Sequence, residues 1–121
     1  MILFRQEHVD PILLRQKTQT RRLGKPRWRV GSIRGCYVRS PRAGGQPFAR
    51  VRIASVRQER LGDISREDAR REGYASVDAY LEGFCRINRK PLTQAVLDLV
   101  VNVLDFELVG SRESGPGRPV S

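Results

Sequence analysis

Two short stretches of the sequence combine residue types that can carry out chemistry. The first, 13–22, contains Lys17, Thr20 and Arg22 within six positions, and the second, 64–74, contains Glu72 followed by Gly73. A threonine hydroxyl is a useful nucleophile only beside a base, and a lysine is such a base only when its pKa lies well below about 10.4. Burial or nearby arginines would lower that pKa, whereas Glu72 would raise it. Residue types alone therefore leave catalysis, phosphate binding by Lys17 and Arg22, and a structural Glu72–Arg22 ion pair open.

The spacing of these residues constrains the elements that must position them. Positions 17 and 20 of a straight strand point to opposite faces, so Lys17 and Thr20 can share a site only if Lys17 lies in the turn before the strand. Asp10 followed by Pro11 predicts a helix with an aspartate N-cap and proline at its first position. The apolar spacing that follows predicts that this helix ends near Gln16, and 18–22 is then predicted to be extended.

The other patterns predict a small α+β domain. Strands are expected over 1–4, 34–39 and 48–57, and the last of these should present Arg50 and Arg52 on its outer face. Ser65 is predicted to begin a helix that ends at Gly73, with Asp68 in the third position of a capping box. A second helix is predicted from Ser76, a further helical turn within 92–99, and a closing strand around 104–108. This order predicts a curved or closed sheet with helices on one side.

Charge is distributed unevenly along the chain. The protein has 121 residues and a net charge of +10. Residues 1–60 hold 15 basic and 3 acidic residues, whereas residues 61–121 hold 8 basic and 10 acidic residues. Arginine outnumbers lysine 20 to 3, and its planar fork suits phosphate groups and base stacking. The first half is therefore expected to build a face that binds a polyanion, although each single arginine can equally be an ordinary solvated charge.

Several functional classes are excluded by composition. The length favours one domain, and no apolar run approaches the roughly 20 residues of a membrane-spanning helix. The short apolar start does not resemble a signal peptide, so we expect a soluble cytoplasmic protein. His8 is the only histidine, and Cys36 and Cys85 form no CxxC pair, so neither a zinc site nor a Ser-His-Asp triad is expected. No cofactor is expected, and the sequence does not indicate an oligomeric state.

Further binding candidates lie outside the two stretches. Trp28 stands between Arg27 and Arg29, so it can stack on a base while the arginines hold phosphates, or it can cover the end of the core. Arg50 and Arg52 can extend a binding groove or simply face solvent. Tyr37 and Tyr74 can line a cleft, but core packing is the simpler role for each. His8 is most simply a surface or capping residue.

The two stretches together resemble the ASCH domain family of the PUA-like superfamily. That family carries a Gly-x-Lys-x-x-Glu-x-Arg signature after its first helix, and 15–22 matches it at Lys17 and Arg22, with Arg15 and Thr20 in place of the glycine and glutamate. The family's Ala-x-x-Glu-Gly stretch corresponds to 69–73. The resemblance covers residues 1–109 and implies a PUA-like β-barrel with flanking helices and a cleft for RNA or a modified nucleoside. Residues 110–121, rich in Gly, Pro and Ser, are expected to be a disordered tail.

With threonine at position 20, the sequence resembles one branch of that superfamily, the small bacterial amidohydrolases that deacetylate N4-acetylcytidine. The resemblance implies that Thr20 is the nucleophile, Lys17 the base and Glu72 the acid that protonates the leaving amine. This chain differs from those enzymes in its higher basic charge and in its arginine-rich segment 21–29. We therefore expect first a binding domain for RNA or a nucleoside, with DNA as a possible partner. In that domain Lys17, Thr20, Arg22 and Glu72 would line a basic cleft, and Arg21, Arg27, Trp28, Arg29, Arg50 and Arg52 would contact nucleic acid. Amide hydrolysis is the alternative. Ribonuclease activity is a weaker alternative, because the sequence has no pair of histidines.

Overall fold

Two long antiparallel strands form the centre of the only sheet among residues 1–111, the part of the chain that the computed structural model describes. The strands are β1 (Ile2–Leu3), β2 (Gln19–Arg22), β3 (Ile33–Tyr37), β4 (Ala49–Arg60) and β5 (Val100–Ser111). Their order in the sheet is β1-β3-β4-β5-β2. β1 and β3 run parallel, and the other neighbouring pairs are antiparallel.

The sheet is curled because its central strands are irregular. The register between β4 and β5 shifts between Arg50 and Val51 and again between Ile53 and Ser55, and such bulges bend a strand and increase its twist. Val51 and Ile53 are buried whereas Arg50 and Arg52 are exposed, which confirms the predicted alternation. β1 and β2 lie at the two edges, so the sheet forms a half-open barrel. This architecture confirms the predicted α+β, PUA-like fold.

Four α-helices within the described residues flank the sheet: α1 (Val9–Leu13), α2 (Arg66–Arg71), α3 (Val77–Asn88) and α4 (Gln94–Leu97). The predicted helix starts at Ser65 and Ser76 are confirmed, because their hydroxyls accept hydrogen bonds from the third residue of each helix. Only half of the predicted capping box forms. The Asp68 carboxylate accepts hydrogen bonds from Arg57 and Arg71, at 2.8 and 2.6 Å, and is therefore committed to arginines outside the cap.

The predicted bounds of α1 were wrong at both ends. The helix begins at Val9 with His8 as its N-cap, so Asp10 and Pro11 lie inside its first turn. It ends at Leu13, and Arg15 adopts a left-handed conformation with φ of 60°. This conformation ends the helical path and starts a tight turn. The helix is therefore about as long as predicted but lies two to three residues nearer the N-terminus.

Apolar side chains form two clusters. One lies between the sheet and helices α2 to α4 and includes Leu61, Phe84 and Val101. The other lies inside the curl of the sheet, where Ile12 of α1 packs with strand residues such as Ile53. Aromatic residues of both clusters line one cavity, which therefore lies where the two clusters meet.

Strand β5 continues past the predicted end of the domain at residue 109. Gly110 pairs with Arg50 and Ser111 pairs with Ala49, so the first two residues of the expected tail belong to the sheet. The rest of the expected tail, 112–121, lies outside the described residues. None of the helices within 1–111 has both the length and the apolar character needed to cross a membrane.

Candidate functional site

Lys17 is positioned by the turn that joins α1 to β2. The backbone N–H groups of Gln16 and Lys17 both donate to the Pro11 carbonyl oxygen, at 2.8 and 3.0 Å. The next N–H, that of Thr18, donates to the Arg71 carbonyl at 2.8 Å, which fastens this turn to the end of α2. Lys17 thus lies before the first residue of β2, which is the position it needs in order to share a site with Thr20. Its exposed fraction is only 2%.

Gly73 brings Glu72 next to Lys17. Gly73 has φ of +95°, a left-handed conformation that lets the chain turn sharply after α2. A Cβ atom at this position would lie 3.5 Å from the Lys17 Cβ atom, so the two backbone segments pack closely. Glu72, the C-cap residue of α2, is consequently buried against the turn that carries the lysine.

The ammonium group of Lys17 is fully satisfied by protein acceptors. It donates to Glu72 Oε1 at 2.8 Å, to the Glu72 carbonyl oxygen at 2.8 Å and to the Gln19 carbonyl oxygen at 3.0 Å. An ammonium has three protons, so these contacts use its whole donor capacity. Burial lowers the pKa of Lys17 from its ordinary value, and the Glu72 carboxylate partly offsets this effect.

Arg21 holds the other oxygen of Glu72. Its Nη1 donates to Glu72 Oε2 at 3.0 Å, and its Nη2 donates to Glu59 at 3.0 Å and Asp68 at 3.2 Å. The Arg21 side chain is completely buried. We predicted that Arg21 contacts nucleic acid, and this placement does not agree with that role, because the guanidinium is surrounded by carboxylates. Arg21 instead fixes the orientation of Glu72.

Thr20 and Arg22 lie on the face of β2 opposite to Gln19 and Arg21, and both line the cavity. Arg22 Nε donates to the Thr20 hydroxyl oxygen at 3.1 Å, and the Arg22 guanidinium lies 4.8 Å from the centre of the Phe4 ring. Within residues 1–111, no carboxylate forms an ion pair with Arg22, so the alternative Glu72–Arg22 pair does not occur there. Thr20 makes no hydrogen bond to Lys17 or Glu72. These three side chains and that of Arg22 nevertheless line the same cavity of about 290 Å³.

His8 and Tyr74 complete the wall of this cavity. The His8 Nε2 atom and the Tyr74 hydroxyl lie 3.3 Å apart. Burial, followed by the positive charge of Lys17, lowers the pKa of His8 to about 4, so its imidazole is neutral at pH 7. The Tyr74 ring rests on Gly83 of α3, where an added Cβ atom would lie 2.6 Å from the Tyr74 hydroxyl oxygen. The sequence pattern assigned His8 to the surface or to a cap, and it favoured core packing for Tyr74.

Comparison with known proteins identifies the architecture. No family model and no curated protein matches the sequence. An ASCH domain structure from Lactobacillus crispatus superposes with a TM-score of 0.63 at 20% identity, covering 84% of this chain and 70% of that one. A DUF984 protein from Enterococcus faecalis superposes with a TM-score of 0.66 at 17% identity, covering 95% and 76%.

The chain has the fold of an ASCH domain. The resemblance found in the 15–22 and 69–73 stretches is therefore confirmed at the level of architecture. At these identities the similarity establishes the fold alone. In this chain the turn that carries Lys17 and the glutamate at the end of α2 lie against each other, although they are 55 positions apart in the sequence.

The remaining predicted binding residues do not gather at this cavity of the ASCH fold. Arg27 and Trp28 line a neighbouring cavity, and Trp28 also packs against the apolar cluster inside the curl. Arg29 is exposed and lines neither cavity. Arg50 and Arg52 lie on the outer face of β4, also away from both. The site as observed therefore consists of side chains of β1, β2 and α3 together with His8, Lys17, Glu72 and Tyr74, which lie outside these three elements.

Metal binding has no support within residues 1–111. No group of three or more His, Cys, Asp or Glu side chains is arranged there to hold an ion. Cys36 and Cys85 are both buried thiols. The polar side chains that line the cavity include those of Lys17, Thr20, Arg22, Glu72, His8 and Tyr74.

Proposed function

We propose that the cavity around Lys17 binds a nucleoside, either free or as one nucleotide of an RNA strand. The observation that carries this proposal is the convergence of Lys17, Thr20, Arg22 and Glu72 in one cavity of about 290 Å³. Small-molecule sites are mostly apolar and contain a few converging polar groups. This cavity is more polar than most, because eight polar or charged side chains converge in it beside eight apolar or aromatic ones.

The walls of the cavity suit a base and a sugar. The half-buried ring of Tyr74 offers a stacking surface beside the neutral imidazole of His8, and proteins commonly hold unpaired bases by stacking on such rings. The Thr20 hydroxyl, the Arg22 guanidinium and the Glu72 carboxylate supply both donors and acceptors for a base edge or a sugar hydroxyl. The ion-paired network of Arg21 keeps Glu72 in place before any ligand arrives.

Binding is tested by calorimetric titration of the protein with the four ribonucleosides and N4-acetylcytidine. Thr20→Val removes the hydroxyl that lines the cavity while keeping the β-branched shape. A lost hydrogen bond of about 1 kcal/mol corresponds to roughly fivefold weaker binding. Thr18→Val is the matched control, because Thr18 is two positions away and does not line the cavity. If no nucleoside binds, or if both variants weaken binding equally, the proposal is wrong.

Amide hydrolysis is a second candidate, favoured by the placement of Thr20 in the same cavity as the Lys17–Glu72 pair. In this reaction the Thr20 oxygen bonds to the acyl carbon, and its proton passes to a neutral Lys17. Protonated Glu72 gives its proton to the amine nitrogen as the C–N bond breaks, and water then hydrolyses the acyl-threonine ester. Neutral Lys17 and protonated Glu72 arise only when one proton passes from the Lys17 ammonium to the Glu72 carboxylate, across 2.8 Å.

The Arg21 guanidinium opposes that proton transfer, because it is attracted to the Glu72 carboxylate at 3.0 Å. Because Arg21 disfavours the protonation state that hydrolysis needs, binding is the better supported function. The two are separated by incubating the protein with N4-acetylcytidine and measuring cytidine by chromatography. Hydrolysis requires that cytidine appears, that Thr20→Val abolishes its release, and that Thr18→Val does not. No release at enzyme concentrations equal to the substrate would remove this candidate and leave the binding proposal standing.

A further inference from the structure

A second cavity of about 450 Å³ adjoins the first. Four residues, Leu3, Arg22, Leu23 and Asn88, line both cavities. Arg22 therefore lies between the Lys17 cavity and its neighbour and lines both. The two cavities therefore have a common wall formed by these four residues.

The second cavity carries positive charge and no negative charge among the residues that line it. Arg22, Arg27 and Arg34 contribute three guanidinium groups, and no aspartate or glutamate lines it. Buried Arg21 and half-exposed Arg57 differ from these three, because both form ion pairs with Glu59 and Asp68.

The three arginines are held by neutral partners. Arg22 donates to the Thr20 hydroxyl and lies over Phe4, and Arg27 lies 5.5 Å from the centre of the Trp28 ring. Arg34 donates through Nε to the Ser32 hydroxyl at 3.4 Å. None of them forms an ion pair within residues 1–111. Their terminal N–H groups therefore remain available to an anion.

We infer that the second cavity binds a phosphate group attached to the nucleoside in the first. A cluster of like charges is unfavourable without a counter-charge, and arginine forks bind phosphate oxygens through paired, charge-assisted hydrogen bonds. Arg22, at the shared wall, contacts both parts of such a ligand. This inference rests on the proposed function and narrows it. The ligand is a nucleotide or a nucleic-acid strand rather than a free nucleoside.

The test compares each ribonucleoside with its 5′-monophosphate, its 3′-monophosphate and the corresponding dinucleotide, by calorimetry at low salt. The phosphorylated form should bind about tenfold or more tightly than the nucleoside, and added salt should reduce the difference. Which of the three phosphorylated forms gains most distinguishes a terminal phosphate from the diester of a strand.

Arg27→Gln and Arg34→Gln should remove most of this gain and leave nucleoside binding unchanged, because neither residue lines the first cavity. Arg50→Gln is the matched control, since it removes the same charge from the outer face of β4. Equal affinity for nucleoside and nucleotide would overturn the phosphate inference alone. An equal loss in Arg50→Gln would also overturn it, because the gain would then reflect overall charge. Failure of every probe to bind would overturn the proposed function instead.

Discussion

Glu72→Gln should cost far more stability than any surface charge removal in this protein. The Glu72 carboxylate lies 2.8 Å from the Lys17 ammonium and 3.0 Å from the Arg21 guanidinium, and all three side chains are buried. The variant keeps the size of the side chain but leaves two buried cations without this counter-charge. Removing one partner of a buried ion pair typically costs about 3–5 kcal/mol. That is a large part of the roughly 5–15 kcal/mol by which a domain is stable.

Glu7→Gln is the matched control. Glu7 lies 3.0 Å from Arg86, so the contact distance is the same, but both side chains are about half exposed. Exposed pairs contribute about 0–1 kcal/mol. The two variants therefore differ in the burial of the carboxylate and in its number of cationic partners, which is two for Glu72 and one for Glu7. The free energy of unfolding is measured by urea denaturation followed by far-UV circular dichroism, at one pH and one salt concentration.

A double variant separates the ion pair from a simple packing defect. In a Lys17→Met background, Glu72→Gln should cost markedly less than in the wild type, because the buried ammonium is already absent. The reasoning would be refuted if Glu72→Gln and Glu7→Gln destabilised the protein equally. It would also be refuted if the cost of Glu72→Gln were the same with and without Lys17.

Three further predictions concern the walls of the Lys17 cavity. The pKa of His8 is about 4 in the folded protein and about 6.5 when unfolded, so the protein should be most stable above pH 6.5 and should lose stability as the pH falls towards 4, where the unfolded chain binds a proton that the folded protein does not; in urea titrations this loss should be steeper in the wild type than in His8→Gln. Gly73→Ala should destabilise the protein by about 1–2 kcal/mol because of its left-handed conformation, and a Gly110→Ala control, which lacks positive φ and has open space around the added Cβ atom, should show no such cost in the same denaturation assay. Gly83→Ala should displace the Tyr74 ring, whose nearest atoms would lie 2.6–2.9 Å from the new Cβ atom, and weaken nucleoside binding in calorimetry, whereas equal binding would show that Tyr74 does not contact the ligand.

The sequence pattern predicted elements that depend on local periodicity. The alternation along β4 and the hydroxyl caps at Ser65 and Ser76 are local signals, and they were correct. The convergence of Lys17 and Glu72 depended on the family resemblance, since nothing in the spacing of two segments 55 positions apart specifies their contact.

The role of Arg21 could not be predicted from alternation. Residues on β2 alternate between two environments, and both environments are buried. Gln19 and Arg21 contact Asp68, whereas Thr20 and Arg22 hydrogen-bond to each other. A strand pattern shows that neighbouring residues differ in direction but not which direction leads to carboxylates. The contact between half-buried His8 and Tyr74 was missed for a similar reason, because Tyr74 comes much later in the chain. The position of His8 as the N-cap residue of α1 agrees with one of the two roles predicted for it.

The incomplete closure of the sheet has a consequence for how this fold can change. Leu3 of β1 and Thr20 of β2, from the two opposite edge strands, both border the Lys17 cavity. A longer β1 that paired with β2 would satisfy more backbone groups and remove two exposed edges, but it would fill the gap between the edge strands that border the cavity. Stabilising the barrel by closing it and keeping the cavity accessible are therefore opposing requirements on the same few residues.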